Sequence, residues 1–181
     1  MKIACLGWGS LIWKPGALPV QGEWKADGPF LAIEFCRISD GGELATALCN
    51  NAAPVPTLWA WLDCDSLELA SQALKEREEI PQTRHDGIGS LVVQKTSIGP
   101  LAEWAIAREI EAVIWTALPP RGARGESHIP TVEETIAYLD GLSGKTREHA
   151  KSYHQSVPAQ IDTAYRRAVT VALGWYPQPV L

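Results

Sequence analysis

The sequence predicts an α+β fold, and three observations predict it. Short apolar, β-prone runs separated by turn residues fill most of the chain up to Pro119-Pro120, helical periodicity dominates beyond that point, and strands and helices do not alternate as a doubly wound sheet requires. With 181 residues, the length is that of about one domain and allows a full core to be buried. The expected organisation is a single domain over 1–181: a strand-rich core with one principal helix up to residue 120, and a helical C-terminal extension packed on it over 121–181.

The elements follow in order. Ile3 to Leu6 reads as a first strand that runs into the glycine-rich turn Gly7-Trp8-Gly9-Ser10. Trp13 to Pro29, rich in proline and glycine, reads as a loop. Phe30 to Ile38 and Glu43 to Cys49 are partner strands joined by the hairpin-type turn Asp40-Gly41-Gly42, and Thr57 to Leu62 is a further strand. Asp65, with Glu68 three residues on, resembles a capping box and opens a helix that runs to about Glu79 and stops before Pro81. Its apolar positions Leu67, Ala70 and Leu74 share one face. Ser90 to Thr96 and Ala112 to Leu118 are two more strands, with a short helix around Ala102 to Glu109 between them. Arg121 to His128 is a loop, and the chain is helical from the Thr131 cap onward, with Ile136, Leu139 and Leu142 as its apolar stripe. A last helix is expected from Pro158, in its first turn, to Leu173.

Composition narrows the function classes. Hydrophobic residues at 46% and charged residues at 20% are ordinary for a globular protein, and the net charge of −5 offers no basic surface to nucleic acid or an anionic membrane. The four cysteines, Cys5, Cys36, Cys49 and Cys64, are widely spaced and without metal-ligand spacing, so buried thiols are expected. His149 and His154, five apart, fall on different sides of a helix and do not make a shared metal site. Neither a metal nor a cofactor is implied. The apolar stretch after Met1-Lys2 is broken by Gly7, Gly9 and Ser10, unlike a signal peptide, and no run reaches membrane-span length, so a cytoplasmic location is expected.

Two features could carry chemistry. A glycine turn directly after a strand lets backbone N–H groups face a ligand and can form a nest for a carboxylate or phosphate. Gly7-Trp8-Gly9-Ser10 is neither a dinucleotide fingerprint nor a P-loop, and on its own it is equally a tight turn with no ligand. Glu78 continues the Leu67, Ala70, Leu74 series at the edge of the apolar face. A carboxylate aimed toward a core is costly unless paired or protonated, often has a raised pKa, and then suits a general base. The alternative is a last-turn glutamate that simply pairs with Arg77 or Arg84.

Together these residues resemble a known family. Gly7-Trp8-Gly9-Ser10-Leu11-Ile12-Trp13 is similar to the G-Y-G-S-L-I-W opening of the ChaC-type γ-glutamylcyclotransferases, whose superfamily shares a shorter Y-G-S core. Leu58-Trp59-Ala60-Trp61-Leu62, followed by a helix ending Ala73-Leu74-Lys75-Glu76-Arg77-Glu78, resembles the family's strand–helix unit, which closes on L-x-x-R-E with the catalytic glutamate last. Phe35-Cys36-Arg37-Ile38-Ser39-Asp40 resembles its arginine- and serine-containing strand, and the likeness covers about residues 1–100.

The resemblance implies a small mixed β-barrel with flanking helices, to which this chain adds C-terminal helices. It implies that Gly7, Trp8, Gly9, Ser10 and Leu11 bind the substrate's α-carboxylate end, and that Glu78 is the general acid/base. The substrate's own amine would attack its γ-carbonyl, releasing 5-oxoproline and an amine, as in glutathione metabolism. The implied partner is thus a small γ-glutamyl compound, with no nucleic acid or membrane involved; oligomeric state is left open. Arg37 and His85 are further pocket candidates, though His85-Asp86 also reads as a solvated turn. Arg121 and Arg124 could clamp an acidic tail or lie in an exposed loop.

This chain departs from the family pattern in having Trp8 where the family has tyrosine and Glu79-Ile80-Pro81 after the glutamate. A non-catalytic binding or interaction module on the same fold is therefore the alternative reading. A third, a nucleophilic cysteine at Cys5, lacks an evident histidine partner. Most of the eight tryptophans are expected in the core, with Trp8 lining the pocket.

Overall fold

The computed structural model describes residues 1–178 and has the α+β class expected from the sequence. Its residues group into two compact units interleaved along the chain: the first takes 1–7, 11–30 and 56–118, the second 8–10, 31–55 and the described residues from 119 onward.

The first unit is a mixed five-stranded sheet with two helices. Its strands are β1 (Ile3–Gly7), β2 (Val20–Lys25), β6 (Leu58–Leu62), β7 (Ile88–Val92) and β8 (Ala112–Thr116), in the spatial order β2-β6-β1-β8-β7. Central β1 runs antiparallel to β6 and parallel to β8, pairing Cys5 with Ala60 on one side and Ile114 on the other. A central strand buried on both faces must be apolar throughout, and all five residues of β1 are buried. Helix α1 (Leu67–Arg77) buries Ala70 and Leu74 against Ile3, Cys5, Leu62 and Ile114. Helix α2 is Pro100–Ile106. Asp27 is held between indoles and a guanidinium: it accepts from Trp59 Nε1 at 2.8 Å and Arg108 at 2.9 Å, and its carbonyl accepts from Trp104 Nε1 at 2.9 Å.

Strand β2 corrects the expectation of a loop over Trp13 to Pro29. It pairs with β6 through a register shift between Gln21 and Lys25, where Gly22 takes φ 77°. That irregularity and its largely exposed pattern remove the alternation that would mark a strand. Only three of the eight tryptophans (Trp8, Trp59 and Trp175) are buried, against the expectation that most lie in the core: four are half-buried and Trp13 is 41% exposed.

In the second unit β3 (Phe30–Ile38) and β4 (Leu44–Leu48) form the expected hairpin, with β5 (Pro54–Pro56) also on β3. The loop expected from Arg121 to His128 contains two short strands, β9 (Arg121–Gly122) and β10 (Gly125–Glu126), which extend the β3 sheet. Three helices follow: α3 (Val132–Asp140), α4 (Gly144–Ser156) and α5 (Ala164–Leu173). Thr131 and Glu134 form a capping box on α3, and Leu142 falls beyond its end.

Helix α5 does not begin at Pro158, as expected, but at Ala164, with Thr163 as its N-cap. Buried Arg166 explains the difference. Its Nη1 donates to the carbonyls of Pro158 and Ile161 and its Nη2 to those of His154 and Val157, so residues 157–161 are held as a turn that satisfies α4's end. The buried carboxylate of Glu34 then completes the α5 start, accepting from the Thr163 hydroxyl and from the Tyr165 N–H at 3.2 Å. Burial pushes the Glu34 carboxyl above its ordinary range despite these donors.

His154 on α4 is 2% exposed, packed against Phe35 and Trp175, with Nε2 3.1 Å from Thr170 Oγ1. Burial first, and the Arg166 charge second, lower its pKa from 6.5 to about 4. Between those values the unfolded chain holds the extra proton, so stability is full above pH 6.5 and is lost as pH falls toward 4. Wild type is expected to lose about 3 kcal/mol more than His154→Gln across that window, since each pKa unit corresponds to about 1.4 kcal/mol. Parallel denaturant titrations at pH 7, 5.5 and 4.5 check this, and identical pH slopes would refute it. Glu34, raised rather than lowered, has the opposite slope above pH 4.5 and is common to both proteins.

Candidate functional site

Glu78 is placed by the way α1 ends. Ser66, not Asp65, is the N-cap, its hydroxyl accepting from Leu69 N–H at 3.2 Å. At the other end Glu79 adopts φ 54°, its N–H donates to Glu76 O at 3.1 Å, and Ile80 N–H reaches Lys75 O at 3.0 Å. This Schellman closure stops the helix at Arg77, before the Glu79 expected from sequence, and makes Glu78 the C-cap residue. A non-glycine residue in the left-handed region costs on the order of 1 kcal/mol and persists only where its surroundings demand it.

The Glu78 side chain is 18% exposed, and Arg77 Nη1 stands 3.7 Å from its Oε1. From the end of β8, Thr116 Oγ1 donates to the same oxygen at 3.1 Å. Arg77 is itself tied down, with Nε and Nη2 donating to Lys14 O at 2.9 and 2.7 Å. The carboxylate also lies close enough to Cys5 for its charge to add to burial in raising that thiol's pKa. Within the first unit, then, the Glu78 carboxylate is held by donors beside the strand that leads into the glycine turn. Cys5, fully buried and kept as a thiol, is unsuited to nucleophilic attack.

The turn itself divides. Gly7 ends β1 in a space where a Cβ would lie 2.6 Å from Trp24, and Leu11 packs into the first unit's core with Ile3 and Leu18. Trp8 to Ser10 belong to the second unit, Trp8 being 5% exposed. There Thr46 Oγ1 donates to Trp8 O at 3.1 Å, and Tyr153 OH lies 3.0 Å from both Thr46 N and Thr46 Oγ1. A Cβ on Gly9 would sit 2.6 Å from each of these hydroxyl oxygens. Gly9→Ala is accordingly expected to cost about 1–3 kcal/mol, as other overpacking substitutions do. Urea denaturation measures it, and a change below about 0.5 kcal/mol would show that the turn can shift.

The remaining candidates are placed as follows. Arg37 donates to Pro119 O at 2.8 Å and pairs with Glu126 at 3.2 Å. His85 is exposed, next to the Arg84–Asp86 ion pair. Arg121 is bound to Ile38 O and Asp40, while Arg124 is exposed. His149 pairs with Glu43 at 2.9 Å, away from buried His154. Among the described residues no group of three or more His, Cys, Asp or Glu side chains could hold a metal, and no helix is long and apolar enough to cross a membrane. Sequence reasoning missed Thr116, Thr46 and Tyr153. All three act through contacts with residues remote in sequence, and no local motif announces them.

No protein-family model matches the chain, and no curated protein matches it. Among solved structures, a yeast γ-glutamylcyclotransferase specific to glutathione is similar at 14% identity, with a TM-score of 0.49 and 96% of this chain and 98% of that one covered. At that level nothing about the site is transferred.

Proposed function

We propose that the chain is an enzyme that cleaves a γ-glutamyl amide by intramolecular cyclisation. The observation that carries this reading is the Glu78 carboxylate, fixed at the end of α1 by Thr116 and Arg77 beside β1. In the reaction Glu78 takes a proton from the substrate α-ammonium. The freed amine attacks the γ-carbonyl, a five-membered lactam closes, and the C–N bond to the leaving amine breaks as Glu78 returns the proton. As the lactam forms, the ring nitrogen gives up its second proton, which ends on the departing amine so that it leaves as an ammonium. Glu78 serves as base and then acid, protons and charge balance, and no external reactant enters. The glycine turn's role is to hold the α-carboxylate through backbone N–H groups, which need no ionisable side chain to bind an anion. The closed ring follows from proximity: nucleophile and electrophile are in one molecule, and binding has only to select the conformer.

The test is release of 5-oxoproline from a panel of γ-glutamyl peptides and γ-glutamylamines, with the departing amine measured in parallel. Equimolar products support the reading and rank the substrates. Glutamate in place of 5-oxoproline would mean hydrolysis rather than cyclisation. Absence of product from every member, in protein shown to be folded, would leave a binding module.

A further inference from the structure

The hydroxyl pair beneath the turn forms a short hydrogen-bond relay. Thr46 has a single hydroxyl proton, and it goes to Trp8 O. In the 3.0 Å contact between Thr46 Oγ1 and Tyr153 OH, Tyr153 must therefore be the donor. Tyr153's oxygen in turn accepts from Thr46 N–H. The result is a directed chain: Thr46 N–H to Tyr153 OH, Tyr153 OH to Thr46 Oγ1, and Thr46 OH to the Trp8 carbonyl.

The far end of the chain is a peptide unit. Among the described residues no peptide bond is cis, so in the trans Trp8–Gly9 unit the carbonyl and the Gly9 N–H point in opposite directions. Fixing the carbonyl fixes the direction of the N–H. Successive hydrogen bonds also polarise one another, and a donor on the oxygen strengthens the N–H of the same amide. Gly9 is buried, yet its N–H has no acceptor among the described residues. Buried backbone donors are almost always paired.

We propose that Thr46 and Tyr153 are positioning residues that aim and polarise the Gly9 N–H, on the side away from their own hydroxyls, at a carboxylate oxygen of the ligand. The inference rests on the γ-glutamyl reading for the ligand's identity, and it gives α4 a task in substrate recognition through Tyr153. Close approach is part of it, because Gly9 alone leaves room for both hydroxyls against the turn.

The experiment uses the full chain with Thr46→Val, Thr46→Ser and Tyr153→Phe. On the best substrate of the panel, Thr46→Val is expected to raise KM about tenfold with kcat within about twofold, Thr46→Ser to restore the wild-type KM, and Tyr153→Phe to raise KM about threefold. In ¹⁵N-labelled protein, 5-oxoproline is expected to move the Gly9 amide signal in wild type and Thr46→Ser, and to need about tenfold more ligand in Thr46→Val. Unchanged KM in folded Thr46→Val, or failure of Thr46→Ser to restore it, would overturn the inference. Should no panel member be turned over, the enzymatic reading fails and the titration decides alone. A Gly9 shift weakened in Thr46→Val sustains the inference; a Gly9 signal unmoved in wild type overturns it.

Discussion

Glu78→Gln is expected to abolish 5-oxoproline release, lowering kcat by about 10²–10⁴-fold, the usual contribution of a positioned acid–base group. The substitution is close to isosteric, and the amide oxygen can still accept from Thr116 Oγ1, which now bonds Oε1 at 3.1 Å. What it loses is the ability to take and return a proton. The pair with Arg77, at 3.7 Å and partly solvated, contributes under about 1 kcal/mol, so the variant should unfold within a few degrees of wild type. KM should change by no more than a few-fold, because binding is assigned to the turn. Steady-state kinetics with a direct assay for 5-oxoproline decide the matter. Full activity in Glu78→Gln would remove Glu78 from the mechanism, whereas loss of activity together with loss of fold would be seen at once in the melting curve.

Arg166→Met is expected to be the most damaging single change to stability. Arg166 is 3% exposed, stacks over Phe35, and donates to four carbonyls between His154 and Ile161. Methionine fills a similar volume but leaves those acceptors without their donors, each unsatisfied group costing on the order of 1–3 kcal/mol where water cannot replace it. Some of that is offset because a buried cation no longer has to be desolvated. The net expectation is a loss of about 3–4 kcal/mol, or on the order of 10 °C in Tm for a chain of this size. Arg166→Lys should recover only part, since an ammonium is compact and presents three donors instead of a planar fork. Calorimetry of the three proteins tests the order, and a methionine variant within about 1 kcal/mol of wild type would show that the turn over 157–161 does not depend on this side chain.

The same residue shows why parts of the fold were legible in the sequence and others were not. Strand β1, the β3–β4 hairpin and α1 announce themselves through local pattern: an unbroken apolar run, a glycine turn between β-prone stretches, and a face at helical spacing. Pro158 is an equally good local signal for a helix start, yet α5 begins at Ala164 behind its Thr163 cap, because Arg166 claims the carbonyls before it and Glu34 on β3 accepts from its first turn. Asp65 and Ser66 are adjacent residues able to cap, and only geometry chose between them. Strand β2 escaped because Gly22 and a bulge break its alternation. As for the candidate site, motif and position single out Gly7 to Leu11 and Glu78. The partners that hold them, Thr116 for Glu78 and Thr46 with Tyr153 for the turn, lie 38 and 107 residues from their contacts. No window along the sequence joins such pairs.

That separation has a consequence for how the protein is made. Because the two units draw on alternating stretches of chain, the second still lacks everything after residue 118 when the first has all of its residues. A nascent polypeptide emerging from the ribosome carries Gly9 almost from the outset, but it waits for Tyr153 until most of translation is over. Until then the carbonyl of Trp8 has Thr46 without the phenol behind it. Truncated products therefore lack Tyr153 and its contacts to Thr46 N and Oγ1, so the full set of hydrogen bonds beneath the turn is open only to a nearly complete chain.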